Sequence, residues 1–227
     1  DAWNLACMGK GRANCPKEFG PDMDYSASSI MIDLGDRDIL VAGQKSGSVY
    51  GLDPDTGEIL WSTVVSGGGT QGGIHFGMAA EGKTVYVPIN DMKNTYDGKV
   101  WQNRKPGMHS LDAETGNILW SNITNKECKE IDFNCDPGVS AAVTAIPGAV
   151  IVGHLDGNIR IYDKKNGNII WTYNSLKDFD SISGTPASGG SFSGSGPSVR
   201  NGHMAINSGY GIYNHMPGNA LLLFSVD

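Results

Sequence analysis

Apolar and polar positions alternate with a period of two through much of this chain, the pattern of strands with one covered face. No run sustains the 3.6-residue period of a long amphipathic helix. The alternation is clearest in Gly47-Ser-Val-Tyr-Gly-Leu-Asp-Pro-Asp-Thr-Gly-Glu-Ile-Leu-Trp61. Residues around Val49 and Gly51 read as one strand and Glu58 to Trp61 as its returning partner. Asp53 to Gly57 reads as the turn between them, with Pro54 presetting φ and Gly57 supplying a positive φ. The pattern returns at 108–120 and 157–171, and a shortened copy ends the sequence at 218–227. Trp61 and Trp120 lie 59 residues apart, and Trp120 and Trp171 lie 51 apart. That spacing fits a four-stranded propeller blade with long loops. The expected fold is all-β, a β-propeller segment of about four blades occupying residues 1–227 as one unit. A large flat indole with one N–H closing each copy suits docking between blades better than chemistry.

Between the copies, Ile30 to Gly43 reads as two strands around a turn. His75 to Ala80 and Thr84 to Ile89 read as inner strands of the next blade, Val139 to Val152 as two strands of the third, and Met204 to Asn207 with Leu221 to Val226 as the last. Ser66 to Gly73 is rich in glycine, but neither a helix pattern nor a Lys-Ser/Thr pair follows. It therefore reads as a place where backbone passes close to something central rather than as a phosphate loop. Ser183 to Gly196, rich in Gly and Ser, reads as a shaped loop within a blade.

Composition narrows the function classes. The chain holds 32 Gly and 10 Pro in 227 residues, in keeping with many tight turns. With 17 basic and 24 acidic side chains the net charge is −7, and the basic residues are scattered, which excludes the electrostatic footprint of a nucleic-acid or anionic-membrane binder. No apolar stretch approaches the roughly 18–20 residues that span a bilayer. The chain opens on Asp1 without Met or a charged-then-apolar leader, as expected where a leader has been removed or sequence lies upstream. The four cysteines fall in two local pairs, Cys7 with Cys15 and Cys128 with Cys135, each spaced for a short disulfide loop. Neither spacing is a zinc knuckle. Disulfides imply an oxidising compartment, secreted or periplasmic, and Asn122-Ile-Thr124 is an N-glycosylation sequon.

The repeat resembles that of the pyrroloquinoline quinone (PQQ) dependent alcohol dehydrogenases, Gly-x-x-Tyr-x-Leu-Asp-x-x-Thr-Gly-x-x-Leu-Trp. The segments at 44–53, 72–79, 140–148 and 207–219 are similar to the polyvinyl-alcohol-dehydrogenase-like branch. The repeat itself is shared with non-enzymatic propellers, and the inter-repeat segments are the more specific. The resemblance implies a half ring, the C-terminal part of about eight blades, with PQQ and Ca2+ as cofactors. The Ca2+ ligands would lie in the other half, so no metal site is expected in this chain. It further implies hydride transfer from an alcohol to the quinone and onward electron transfer to an acceptor. The partner would be the N-terminal half of the propeller or a second copy of the chain.

By motif, Asp22-Met-Asp-Tyr25 resembles the segment whose second Asp is the general base, with Met23 in place of the family Trp. This makes Asp24 the candidate base, where the residues alone would equally read as turn caps. Lys45 resembles the cation held against the quinone oxygens, the alternative being a solvated turn lysine. His75 and Phe76 occupy the positions of a cofactor-donating side chain and its aromatic neighbour, the alternative for His75 being a satisfied core histidine. The rival reading from another class is a non-catalytic secreted propeller that binds glycans or proteins through its loops.

Overall fold

The computed structural model describes residues 3–9, 11–92, 102–124, 135–211 and 213–226. Apart from a single 3-10 turn at Leu5–Met8, the regular elements among them are antiparallel strands. β1 (Ile30–Asp33), β2 (Asp38–Gly43), β3 (Ser48–Leu52) and β4 (Ile59–Val64) form the first blade in sequence order. β5 (Ala79–Glu81), β6 (Thr84–Ile89), β7 (Gly107–Asp112) and β8 (Ile118–Ile123) form the second. β9 (Thr144–Ile146), β10 (Ala149–Gly153), β11 (Asn158–Asp163) and β12 (Ile169–Asn174) form the third. A small ribbon, β13 (Asp178–Phe179) with β14 (Ala187–Ser188), precedes a three-stranded fourth blade of β15 (Ser198–Arg200), β16 (His203–Ser208) and β17 (Ala220–Ser225).

The repeat motif builds the outer hairpin of each blade by the same local chemistry. Asp53 Oδ1 accepts from the backbone N–H groups of Asp55 and Thr56, both at 2.9 Å, and Asp112 and Asp163 anchor their turns in the same way. Gly57, Gly116 and Gly167 close the turns at φ of 75°, 72° and 71°. One residue past each turn the register slips, so that Trp61 faces Gly51, Trp120 faces Ser110 and Trp171 faces Ile161. This recurrent bulge re-aims each indole toward the following blade.

The core lies between blades. Along β6, Val85, Val87 and Ile89 join the cluster shared with Ile39, Val41 and Val49 of the first blade, while Tyr86 joins the cluster shared with Val150, Val152 and Tyr162 of the third. Along β10, Ile151 turns the other way, to Met204, Ile206 and Leu222. Middle strands buried on both faces read as near-continuous apolar runs, and the two-residue period decides which neighbour each side chain meets. Beyond the fourth blade, Leu221 and Leu223 of β17 are about 70% exposed, an apolar face with no blade against it among the described residues.

Trp61 Nε1 donates to Ala113 O at 3.0 Å and Trp120 Nε1 to Lys164 O at 2.9 Å, each reaching the turn of the next blade. A Cβ on Gly116 would sit 2.5 Å from Trp61, and one on Gly167 would sit 2.4 Å from Trp120, so each indole lies on a bare glycine. Trp171 stacks on Tyr173 at 6.0 Å and meets Phe224 edge-on at 5.8 Å.

First strands of neighbouring blades, β1 with β5 and β5 with β9, come together at the axis. The segments leading into those strands therefore converge. His75 belongs to such a segment and not to a strand, since β5 begins at Ala79; the glycines from Gly67 to Gly73 hold that stretch in a tight path unsuited to a ladder. A disulfide joins Cys7 to Cys15 with Cα atoms 5.0 Å apart. Cys135 is also disulfide-bonded, while Cys128, and with it the second expected pairing, lies outside the described residues. Asn122 sits in β8 and its side-chain amide donates to Gly167 O at 2.8 Å, so a glycan there would displace an inter-blade hydrogen bond. No helix of the described residues is long and apolar enough to cross a membrane.

Gly167→Ala tests the docking geometry against Gly184→Ala, whose φ is similarly positive (71° against 73°) but whose Cβ would meet nothing within 4 Å. Gly184→Ala is expected to cost about 1 kcal/mol for the left-handed backbone alone. Gly167→Ala should cost roughly 1–3 kcal/mol more for displacing the indole. Urea denaturation of the two variants measures the difference, and equal costs would show that the indole does not dock on Gly167.

Candidate functional site

Lys45 stands in the turn between β2 and β3, wrapped by backbone on two sides. Its N–H donates to Asp24 O at 3.1 Å and its carbonyl accepts from Gly69 N at 3.0 Å. The glycine-rich loop is pressed against this turn: a Cβ on Gly73 would lie 2.3 Å from Lys45 O, and one on Gly68 2.2 Å from Ser46 C. The central feature for which those glycines make room is thus the lysine turn. Asp91, buried and at a left-handed φ of 41°, ties the loop down by accepting from Gly73 N at 2.8 Å, Ser66 Oγ at 3.2 Å and Lys105 N at 2.9 Å. Burial pushes its carboxyl above the ordinary value, against the pull of those donors.

The lysine ammonium donates to Asp22 Oδ1 at 2.9 Å and to Asp24 Oδ2 at 3.0 Å. Asp22, which from the residues alone reads with Asp24 as a turn cap, is brought from 23 positions away to share the ammonium with Asp24. Burial alone would lower the lysine, but its bonds to the two carboxylates hold it above the ordinary value. Desolvation raises Asp22 despite Lys45, and the neighbouring Asp24 adds to the rise. An ammonium has three donors, and the two aspartates use two of them.

His75 is buried, its Nδ1 hydrogen-bonded to Ser140 Oγ at 3.1 Å. Its Nε2 has no hydrogen-bond partner of normal geometry among the described residues. Burial lowers its pKa to about 4, aided by the charges of Lys45 and His215 and opposed by the Thr70 backbone carbonyl. Phe76, partly exposed, stands edge-on to His75 with ring centroids 5.8 Å apart. Beyond His75 come Tyr213 at 6.5 Å and then His215, 6.3 Å from Tyr213.

The structure therefore brings Asp24, Lys45, His75 and Phe76 into one neighbourhood and adds Asp22, Ser140, Tyr213 and His215. Nothing in the sequence marked His215 except its place in one of the more specific inter-repeat segments. Among the described residues no group of three His, Cys, Asp or Glu side chains comes together to hold a metal. The carboxylates present are engaged by Lys45, so these residues do not fit a calcium ion. They do fit an acidic planar ligand: a spare ammonium donor and imidazole nitrogens without partners are suited to anionic and carbonyl oxygens.

A family model described as outer membrane protein assembly factor BamB, PQQ_2, matches residues 18–199. The chain belongs to the PQQ_2 family. The chain is 38% identical over 227 residues to a polyvinylalcohol dehydrogenase of Pseudomonas sp, covering 95% of this chain and 35% of that protein. To the polyvinylalcohol dehydrogenase of Sphingopyxis sp. (strain 113P3) it is 35% identical over 233 residues, 96% of this chain and 35% of that protein. It thus spans about a third of the length of these relatives. Among solved structures, the quinohemoprotein alcohol dehydrogenase ADHIIG of Pseudomonas putida HK5 aligns with a TM-score of 0.56 at 15% identity, over 91% of this chain and 34% of that one. The molecule is a propeller of the PQQ alcohol-dehydrogenase-like kind, and a partial one.

The buried histidines set its acid sensitivity. His75, His109, His154 and His215 all have pKa values lowered to about 4 by burial. Their unfolded value is about 6.5, so their contribution is fully present above pH 6.5 and is lost as pH falls from there toward 4. Each contributes a slope of up to about 1.4 kcal/mol per pH unit. Asp22 and Asp91, with raised values, act in the opposite sense but are fewer. Melting temperature is expected to fall steadily between pH 6.5 and 4; a flat or rising profile would contradict the burial of these rings.

Proposed function

We propose that this chain forms the part of a PQQ-dependent alcohol dehydrogenase that carries the general base and the cation facing the quinone. The observation that carries the reading is the Asp22–Lys45–Asp24 cluster set beside buried imidazole nitrogens that lack partners. A propeller serving as a scaffold gains nothing from leaving such nitrogens unpaired, since each costs about 1–3 kcal/mol. The polyvinylalcohol dehydrogenase names of the relatives at 35–38% identity support an alcohol as substrate, with secondary hydroxyls the first class to try.

The chemistry that PQQ supplies when bound is acceptance of a hydride from the alcohol carbon. The residues here do the remainder. Lys45 presents a fixed positive charge to the oxygens of a bound quinone, in a partly buried setting where it is worth more than in water. Asp24 is partly exposed, and Lys45 engages its Oδ2, which orients the carboxylate and leaves Oδ1 to take the alcohol proton. Asp22 balances the lysine so that Asp24 is not its sole counter-ion. His75 offers Nε2 to a ligand oxygen, and Phe76 supplies an apolar wall beside it. Calcium, which the family implies, finds no ligand set among the described residues, and no step here runs through it. We place the protein in the periplasm or outside the cell, as the Cys7–Cys15 disulfide supports. The remaining blades, or a second copy, would cover the exposed face of the fourth blade and complete the ring.

The test is dye reduction by the intact propeller given PQQ, Ca2+ and a short secondary alcohol. Asp24→Asn is expected to lower turnover about 10²–10⁴-fold while PQQ still quenches the protein's tryptophan fluorescence with near-native affinity. Unchanged turnover would remove Asp24 from the chemistry.

A further inference from the structure

The fold treats its four buried histidines unequally. His109 uses both ring nitrogens, with Ser121 Oγ at 2.8 Å and Lys105 O at 2.9 Å. His154 does likewise, with Pro137 O at 3.0 Å and the Tyr162 hydroxyl at 2.9 Å. His75 pairs Nδ1 with Ser140 Oγ and has the Thr70 backbone carbonyl beside its ring, whereas His215 pairs neither nitrogen among the described residues, although it is only 5% exposed. Buried polar atoms in native proteins find partners, so two nitrogens on one ring that have none among the described residues mark a place where a further group completes the set.

Position says what that something is. His215 lies in the loop between β16 and β17, joined to His75 through the Tyr213 ring, and its charge would act on His75 together with that of Lys45. The loop is tightly folded there: a Cβ on Gly211 would sit 2.8 Å from His215 Cβ. Tyr213 and Asn214 hold left-handed φ of 59° and 63°, a conformation that non-glycine residues adopt at a cost. A metal is disfavoured, because the Lys45 ammonium shares the neighbourhood and the carboxylates beside it, Asp22 and Asp24, already pair with it. An ammonium and two imidazoles instead offer donors from several directions to the oxygens of an anion.

We infer that His215 is a further cofactor contact, its imidazole hydrogen-bonding an oxygen of an acidic planar quinone held on its other side by Lys45. The inference rests on the quinone reading above and extends it to a residue from the fourth blade. It means that a loop three blades on from Lys45 helps to hold the cofactor.

Titrating PQQ into the intact, Ca2+-loaded propeller and following tryptophan quenching gives Kd for wild type, His215→Phe and His215→Gln. His215→Phe should weaken PQQ at least about tenfold, and His215→Gln, which keeps a donor, should weaken it less. The melting temperature of cofactor-free His215→Phe should be unchanged or higher, since an unpaired polar ring is replaced by an apolar one. A purely structural histidine would show the reverse, a lower melting temperature with unchanged Kd, and that result overturns the inference. Should the Phe ring not be accommodated, the smaller His215→Leu carries the same comparison. Wild type that binds no PQQ overturns the quinone reading and this inference with it, whereas wild type and His215→Phe binding equally overturns this inference alone. Zn2+ raising the melting temperature of wild type but not of His215→Phe, in the absence of PQQ, would reassign the ring to a metal and also overturn it.

Discussion

The structure depends on a tryptophan of one blade lying on the bare glycine of the next blade's turn. The indole makes one directional bond, Trp61 to Ala113 O or Trp120 to Lys164 O, and covers a surface from which a Cβ is excluded. Because the contact is both steric and hydrogen-bonded, it sets the distance and rotation between blades more tightly than apolar burial alone would. The apolar clusters between blades then fill a gap whose size is already set. Once blades are stacked at that pitch, their first strands meet at the axis and the segments leading into them converge.

That convergence is what assembles the site. Asp22 and Asp24 precede the first blade, His75 precedes the second and Ser140 the third, while Lys45 turns inward from between two strands of the first. The glycine-rich loop presses backbone against the lysine turn, so main-chain contacts fix the lysine's backbone while Asp22 and Asp24 hold its ammonium. Its charge is balanced by two carboxylates, and burial lowers the pKa of both nearby imidazoles, with the lysine adding to the effect at His75. The result is a fixed cation beside neutral imidazoles, an arrangement suited to anionic oxygens.

Much of the fold was legible in the chain because the repeat writes its own geometry. The Asp–x–x–Thr–Gly turn, the returning Ile-Leu-Trp and the spacing of the tryptophans are local features, and local features survive in sequence. The site was legible only in part. Asp24, Lys45, His75 and Phe76 are candidates only through resemblance, since nothing in the local pattern separates a lysine facing a ligand from a solvated turn lysine; the fold brings the four together. His75 was read as a strand residue because the apolar run continues through it, and the tight path of the glycines before it, which is set by contact with a distant turn, was not visible. Asp22 looked like a cap for want of its partner 23 residues on.

What the sequence by itself determined is the blade: alternation, turn chemistry and repeat length are properties of stretches shorter than about 60 residues. What only the tertiary structure decided is which residues of different blades face one another. His215 shows the difference most plainly. In sequence it is one histidine in a loop of Gly, Tyr and Asn; in the fold it is a buried ring with two unpaired nitrogens beside a tyrosine and a second histidine. Whether a buried polar atom has a partner depends on the whole surrounding packing, and no local pattern of residues records it.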